Sequence, residues 1–556
     1  MPITNIIFAL KFIDYLTPII FIFLVYVFRF YYKYLTRPNK LPGPLPLPFI
    51  ECTYLFTGNN KHLFTLLQNK YGDLCEFYLN GSRRILVSDP KYIERMLTPS
   101  SQDTTFMLRH PYLEGLEEFG MAGRGIVANH DLKSWRFNRQ FFNQAILTPS
   151  FNNEAVKWSN QLLQELEGYW ECLGKLNLSG NNLHDKNDWS LELDILRWSR
   201  RFTSDMIVIL VTGARSYTMA SYYNIYSPVK INRTGALIED SERFVEGFSY
   251  HLTGFPYFMY LGSILRHYLP FIGSKVRSLL KNRDYLFEVL DMIIKKRRQE
   301  IDETLMDKKL GHNMLTSLIT ANTERNKNRI STSDGIPRPM TDVEIRGNLF
   351  DAFLGGVDTT SNSFSYVTYY VCHHPKVKQK MIAEIDSIFP PNTPLNLKYE
   401  DLLKLEYCDA IFNEVNRMVP IALDISRYLE YPSELAGYRW EAGTYFHMNV
   451  TGIHYHKDAW SNPEVFNPDR FYKKDVANNL NNQTMPKFSF IPFGGGLRMC
   501  PGRKLAIIEL LSLMVMVFGK YDVELIDMKA PLQIDFTGLA ICKELPIRIR
   551  PRKFSP

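Results

Sequence analysis

The chain has 556 residues, 45% of them apolar and 14% aromatic, which supplies a large core and excludes a disordered or fibrous protein. Lysine and arginine outnumber the acids by 65 to 58, a surplus spread along the whole length without dense basic runs, so nucleic acid is not an expected partner. The seven cysteines, at 52, 75, 172, 372, 408, 500 and 542, show no C-x-x-C pair and no regular spacing, which fits mostly buried thiols in a reducing compartment and not a disulfide framework.

In chain order, the first element is YLTPIIFIFLVYVFRFYY, residues 15–32, nearly continuous in apolar and aromatic side chains. About 20 such residues cross a bilayer as a helix. Arg29, Lys33, Arg37 and Lys40 follow with no acid before Glu51, so the positive-inside bias sets the body of the protein on the cytoplasmic side. Residues 1–36 are therefore read as a single transmembrane anchor with a basic flank; no small-residue cleavage site follows the apolar run, which counts against a cleaved signal peptide. LPGPLPLP, residues 41–48, has four prolines in eight positions and enforces stiff, extended backbone, so 37–50 reads as a hinge and 51–556 as the body.

Within the body, YGDLCEFYLNGSRRILVSDP at 71–90 alternates around Asn80-Gly81, the signature of a hairpin turn with positive φ. From about 130 to 320 the pattern is mostly helical, interrupted by a polar, Asn-rich stretch at 177–188 and carrying an aromatic-rich stretch, GFSYHLTGFPYFMYLGSIL, at 247–265. The polar segment 322–340 reads as a loop. A capping box at Thr341 and Glu344 then opens a helix expected to run unbroken to His374, where Pro375 stops it. Helices are expected over 376–389 and about 401–418, strand-like pieces over 425–450 and strands over 521–550. The class is mainly α with a minor β portion; length alone would allow two or more domains.

Near the C-terminus stands FIPFGGGLRMCPGRKLAIIEL, with the lone thiol of Cys500 at the mouth of a helix. A structural zinc site wants four close ligands, and Cys500 has no cysteine or histidine nearby. A redox or nucleophilic cysteine wants an adjacent base or resolving thiol, and neither stands next to it. What the loop provides is backbone: glycines at 494, 495, 496 and 502 let N–H groups approach the sulfur, and the positive end of the helix favours its anionic form. That arrangement suits a thiolate held as an axial ligand.

The pattern Phe493-x-x-Gly496-x-Arg498-x-Cys500-x-Gly502 resembles the haem-binding loop of the cytochromes P450. Four other stretches carry the same resemblance. Gly355-Gly356-Val357-Asp358-Thr359-Thr360, inside the long helix, resembles the oxygen-activation motif; two adjacent helical glycines cost about 1 kcal/mol each against alanine, which either a groove for dioxygen or a close helix crossing would offset. Glu414-Val-Asn-Arg417 and Phe466-Asn467-Pro468-Asp469-Arg470-Phe471 resemble the segments that form a buried, structural Glu414, Arg417, Arg470 cluster. Trp135-Arg-Phe-Asn-Arg139 resembles the W-x-x-x-R helix that meets a haem propionate.

The resemblance spans roughly residues 41–550 and implies one large haem domain with the cytochrome P450 fold behind the anchor. It implies haem b with Cys500 as the iron ligand, Phe493, Gly496 and Gly502 shaping the loop, and Trp135, Arg139, Arg427 and Arg498 toward the propionates. Thr359 would present a hydroxyl to bound dioxygen and Asp358 the acid behind it. The implied reaction is insertion of one oxygen atom from dioxygen into an apolar organic substrate that is lipid-, sterol- or terpenoid-like. Electrons would come from a separate NADPH-cytochrome P450 reductase, with cytochrome b5 as a further donor, docking where Arg503 and Lys504 add positive charge if these are more than solvated surface. The implied location is the endoplasmic reticulum membrane. A thiolate-haem isomerase or dehydratase acting on a peroxide could dispense with the Asp358-Thr359 pair, and a non-catalytic haem- or sterol-binding membrane protein would show no turnover. His454 and His456 are read as structural, on one face if their segment is a strand. With a cytoplasmic body, the sequons at Asn177, Asn232, Asn449 and Asn482 would all stay unglycosylated.

Overall fold

A 34-residue helix, Pro2–Leu35, leads the computed structural model, which describes residues 2–55, 63–98, 103–176, 189–306, 308, 310–311, 313–325, 338–391, 393–472, 486–536 and 539–553. The part from Leu16 to Leu35 is long and apolar enough to cross a membrane, and none of it is buried against the rest of the chain. The expected loops at 177–188 and, for the most part, 322–340 lie outside the described residues, as do Asn177 and Asn482.

The proline-rich segment is held against the body. Arg37 stacks 3.9 Å over the Tyr34 ring and pairs with Glu76, a buried acid that also takes Arg83. Glu76 N donates to the Pro42 carbonyl at 3.0 Å, so close that a side chain at Gly43 would collide with the Glu76 carbonyl.

The hairpin forms as its turn chemistry requires: Leu74–Leu79 pairs with Ser82–Val87, and Asn80 and Gly81 both take positive φ, 54° and 70°. A four-stranded sheet grows from it in the order Leu74–Leu79, Ser82–Val87, Tyr445–Asn449, Asp424–Tyr428, with a parallel central pair that aligns Arg84 with Tyr445. A second sheet sets Pro546–Pro551 between Leu191–Asp194 and Tyr521–Leu525. The rest is helical, and one continuous apolar core joins the helices Leu132–Ile146, Pro149–Leu176, Ile195–Thr212, Pro270–Glu303 and Arg503–Lys520.

The long helix departs from the sequence expectation. The capping box at Thr341 and Glu344 is present, yet Asp342–Gly356 and Asp358–His373 are two helices separated at Val357. The Val357 carbonyl accepts from Thr203 Oγ1 and from Ser361 Oγ, both at 3.0 Å. A hydroxyl arriving from the helix Ile195–Thr212 competes for that acceptor just after two glycines have loosened the ladder. The two glycines also have different reasons to be there. A side chain at Gly356 would meet Ile207 at 2.9 Å, a close helix crossing, whereas nothing lies within 4 Å of a side chain at Gly355.

Residues Val450–His454 form a short helix, not a strand. His454 is fully buried and accepts from Ile491 N at 2.9 Å, and burial together with Arg417 pushes its pKa down to about 3. His456 lies 3.3 Å from Asp73. Asn449 is buried and accepts from Gly452 N, so it is no acceptor for sugar in the folded chain; Asn232 is exposed.

Candidate functional site

The segment from Phe493 to Gly502 folds back on itself. Cys500 N donates to the Phe493 carbonyl at 2.9 Å, Met499 N to that of Gly496 at 3.1 Å, and Gly494 and Gly496 take φ of 69° and 62°, the left-handed region that glycine reaches without strain. The helix Arg503–Lys520 starts immediately beyond. Cys500 is accessible, yet enclosed enough that burial is the leading influence on its thiol and holds it above the usual range. Against burial work the N–H groups of Gly502 and Arg503 and the charges of Arg139 and Arg109. A ligand that binds the thiolate would tip that balance.

Four guanidiniums gather beside this loop. Arg498 donates to the carbonyls of Met107 at 3.1 Å and Ile126 at 3.3 Å, and lies 4.0 Å over the Trp135 ring, whose N–H itself donates to the Ile126 carbonyl at 3.1 Å. Arg139 bonds the Met499 carbonyl, Arg427 that of Ser426 and Arg109 that of Val127. Burial lowers the pKa of each below the ordinary arginine range, and burial together with repulsion from neighbouring arginines takes Arg498 to about 7, Arg427 to about 9 and Arg139 to about 10. Among the described residues, Nε of Arg109, Arg139 and Arg427 and Nη2 of Arg498 are buried without an acceptor.

The acid beside Arg109, Asp351, is already engaged: its carboxylate accepts from Ile126 N and Val127 N at 2.5 and 2.9 Å, and burial raises its pKa to about 7. A buried cation cluster of this kind is stable only with anions among it. A ligand with two carboxylates and a cation for the Cys500 sulfur meets every one of those needs. Haem b, with two propionates and an iron, is such a ligand.

Thr359 and Asp358, adjacent at the start of the helix Asp358–His373, open on different spaces. Thr359 and Gly355 line a cavity of about 980 Å³ whose wall is largely apolar, with Leu113, Leu116, Phe255 and Leu354. Thr359 Oγ1 donates to the Gly355 carbonyl at 2.6 Å. Asp358 lines a separate hollow of about 570 Å³ with Arg200, Ser249 and Asp535. Its Oδ1 lies 2.8 Å from Arg200 Nε and its Oδ2 accepts from Ser249 Oγ at 2.7 Å. The two residues thus stand between a hollow bordered by the charged heads of Arg200, Arg243 and Glu246 and the larger cavity lined by Leu354 and Gly355.

Elsewhere, Glu414 and Arg417 are fully buried and joined by a two-point pair at 2.8 and 2.9 Å. Arg470 Nε adds 3.4 Å to Glu414, Asn467 N donates to the same carboxylate at 2.8 Å, and Arg417 reaches the His454 carbonyl. The charges of this cluster are matched by pairing within it, and it ties the helix of Glu414 to the segment 465–470.

Of the residues singled out in the sequence, the fold gathers Trp135, Arg139, Arg427 and Arg498 with the loop of Phe493, Gly496, Cys500 and Gly502, and sets Asp358 with Thr359. Arg109, Arg200 and Ser249 belong to the same site and carried no sequence signal, because each comes from a segment that only tertiary folding brings near. Arg503 and Lys504 are exposed.

The chain is similar in sequence and in fold to known proteins. The family model described as Cytochrome P450 matches residues 41–550. Cytochrome P450 3A12 of Canis lupus familiaris is 25% identical, over 95% of each chain. Thromboxane-A synthase of Macaca fascicularis is 25% identical, over 89% of each chain. Among solved structures, the haem domain of cytochrome P450DA superposes with a TM-score of 0.70 at 17% identity, covering 92% of this chain and 98% of its own.

Proposed function

Since the chain belongs to the cytochrome P450 family, we propose that Cys500 is its iron ligand, that Arg109, Arg139, Arg427 and Arg498 hold the two propionates, and that Asp358 and Thr359 deliver protons. The protein is a haem-thiolate monooxygenase that carries haem b and uses dioxygen and a redox partner. The observation that carries the residue assignment is the cluster of four arginines with buried, unmatched donors around one thiol.

Bound haem supplies reductive activation of dioxygen and transfer of one oxygen atom to substrate. The chain's residues supply the rest. Gly502 and Arg503 N–H groups and the nearby arginine charges favour the Cys500 thiolate over the thiol. Trp135 fixes the plane of Arg498 with its ring face, while Phe493, whose carbonyl accepts from Cys500 N, and the left-handed Gly496 hold the loop folded so that Cys500 stays accessible. Asp358 takes protons from the hollow it lines with Arg200 and hands them toward Thr359 Oγ1, on the wall of the larger cavity. The apolar wall of that cavity excludes water and accepts a lipid-, sterol- or terpenoid-like substrate.

The electron donor under this reading is NADPH-cytochrome P450 reductase, with cytochrome b5 as a further donor, on the face of Arg503 and Lys504. Residues 1–36 anchor the chain in the endoplasmic reticulum membrane, 37–50 join anchor to body, and the haem domain, 51–556, faces the cytoplasm; an unmodified Asn232 in microsomes supports that orientation and a glycosylated one reverses it.

A second reading rests on the similarity to thromboxane-A synthase: rearrangement of a peroxide without a reductase. The test is turnover of dodecanoic acid, cholesterol and limonene by the full chain with reductase and NADPH under ¹⁸O₂. Product with one labelled oxygen per NADPH is expected. Rearrangement of a fatty-acid endoperoxide without NADPH, and no labelled product, would favour the second reading.

A further inference from the structure

The 980 Å³ cavity is at the upper end of the roughly 300–1,000 Å³ usual for ligand sites, and its mostly apolar wall is broken by a charge from the sheet. Arg84, on the strand Ser82–Val87, lines it and is only 5% exposed. A guanidinium so buried is costly unless its donors are answered. Nε donates to the Leu79 carbonyl at 3.3 Å, and Nη1 meets His447 Nε2 at 3.1 Å. On its other side, His447 Nδ1 lies 2.7 Å from Asp424 Oδ2.

Burial holds the His447 pKa below its ordinary value, so the ring is neutral. The tautomer that fits both contacts carries its proton on Nδ1, donating to Asp424, and accepts from Arg84 on Nε2. The carboxylate therefore reaches Arg84 only through a neutral ring. Tyr445, 4.3 Å from the guanidinium carbon, and Tyr260, at 5.5 Å, hold the head by their faces and line the same cavity. Among the described residues Arg84 Nη2 has no hydrogen-bond partner, and since Arg84 lines the cavity, this nitrogen is the donor the guanidinium keeps for a ligand there.

Resting on the monooxygenase reading, we propose that Arg84 determines specificity by taking the carboxylate of a long-chain apolar acid, whose hydrocarbon body fills the rest of the cavity toward Thr359. An alcohol or ester oxygen would satisfy Nη2 but bring no charge; a carboxylate brings both, in the planar geometry a guanidinium matches best. His447 and Asp424 are positioning residues that aim the fork.

The test is a spin-state titration of the haem-loaded full chain with dodecanoic acid, its methyl ester and 1-dodecanol. The acid should bind about tenfold or more tighter than the ester. Arg84→Leu should weaken acid binding by about tenfold and leave the ester nearly unchanged, and Arg84→Lys should keep part of the preference. Equal affinity for acid and ester in the native protein overturns the proposal, as does an acid preference that survives in Arg84→Leu. If Arg84→Leu does not retain haem, the native acid-to-ester ratio and Arg84→Lys decide. The carbon monoxide spectrum of the same samples separates this from the larger reading: an intact thiolate band with no acid preference rejects only the role of Arg84.

Discussion

Around Glu414, three charged side chains and a backbone N–H close on one another, and every head in the group has a partner. Around Cys500, four arginines each keep one buried donor without an acceptor among the described residues, and burial lowers the pKa of every one. Both groups are largely buried, and both are built around arginine. The difference separates a brace from a receptor. A brace matches its own charges because the fold depends on it; a receptor leaves charge unmatched for what it binds, and the fold carries the cost until then.

Breaking the brace should have the largest effect. Glu414→Ala strands Arg417 and Arg470 beside a buried gap, at about 3–5 kcal/mol, a large part of what a folded domain has to lose. Its yield of folded, haem-loaded protein should collapse, and a melting temperature within a degree or two of native would show that the pair is not a brace.

Removing a receptor charge should do the opposite to the empty chain. Arg427→Met deletes a buried cation without a matching acid, so the apo-protein should melt no lower than native, while haem should transfer to an acceptor protein about tenfold faster. An apo-protein destabilised as strongly as Glu414→Ala would erase the distinction between the two clusters.

The smallest effect concerns a buried base with neither brace nor ligand. His251 lies parallel to Phe119 at 3.8 Å and edge-on to Phe350, and both its ring nitrogens lack partners among the described residues. Burial, with Arg283 adding to it, pushes its pKa down to about 3 from 6.5. Below pH 6.5 the unfolded chain takes up this proton and the folded chain does not, so stability falls on acidification until about pH 3, by about 1.4 kcal/mol per pH unit. His251→Phe should remove that contribution, gaining on native protein as pH drops from 6.5 to 5.5 in thermal melts; parallel pH profiles would mean that His251 is not held neutral.

The parts legible in the sequence are those written over short distances. The loop from Phe493 to Cys500, the pair at Asp358 and Thr359, and the Glu414 to Arg417 spacing each sit within one turn or one loop, and local backbone rules carry them. Arg109 was not legible as part of the receptor, since nothing in its own loop marks it and only folding brings it beside Cys500; Arg200 and Ser249 meet Asp358 from two other helices. The break at Val357 was missed for the same reason: the hydroxyl that takes its carbonyl belongs to Thr203, 154 positions earlier. Gly355 and Gly356 look alike in the chain, and only the nearness of Ile207 tells them apart.

The most direct test of the account is the carbon monoxide difference spectrum of the dithionite-reduced full chain, beside Cys500→Ala. A strongly red-shifted Soret band in native protein that disappears in the variant is the predicted result. The same band persisting in Cys500→Ala, or absent from native chain that is folded and haem-loaded, would contradict the assignment of Cys500 and the receptor built around it.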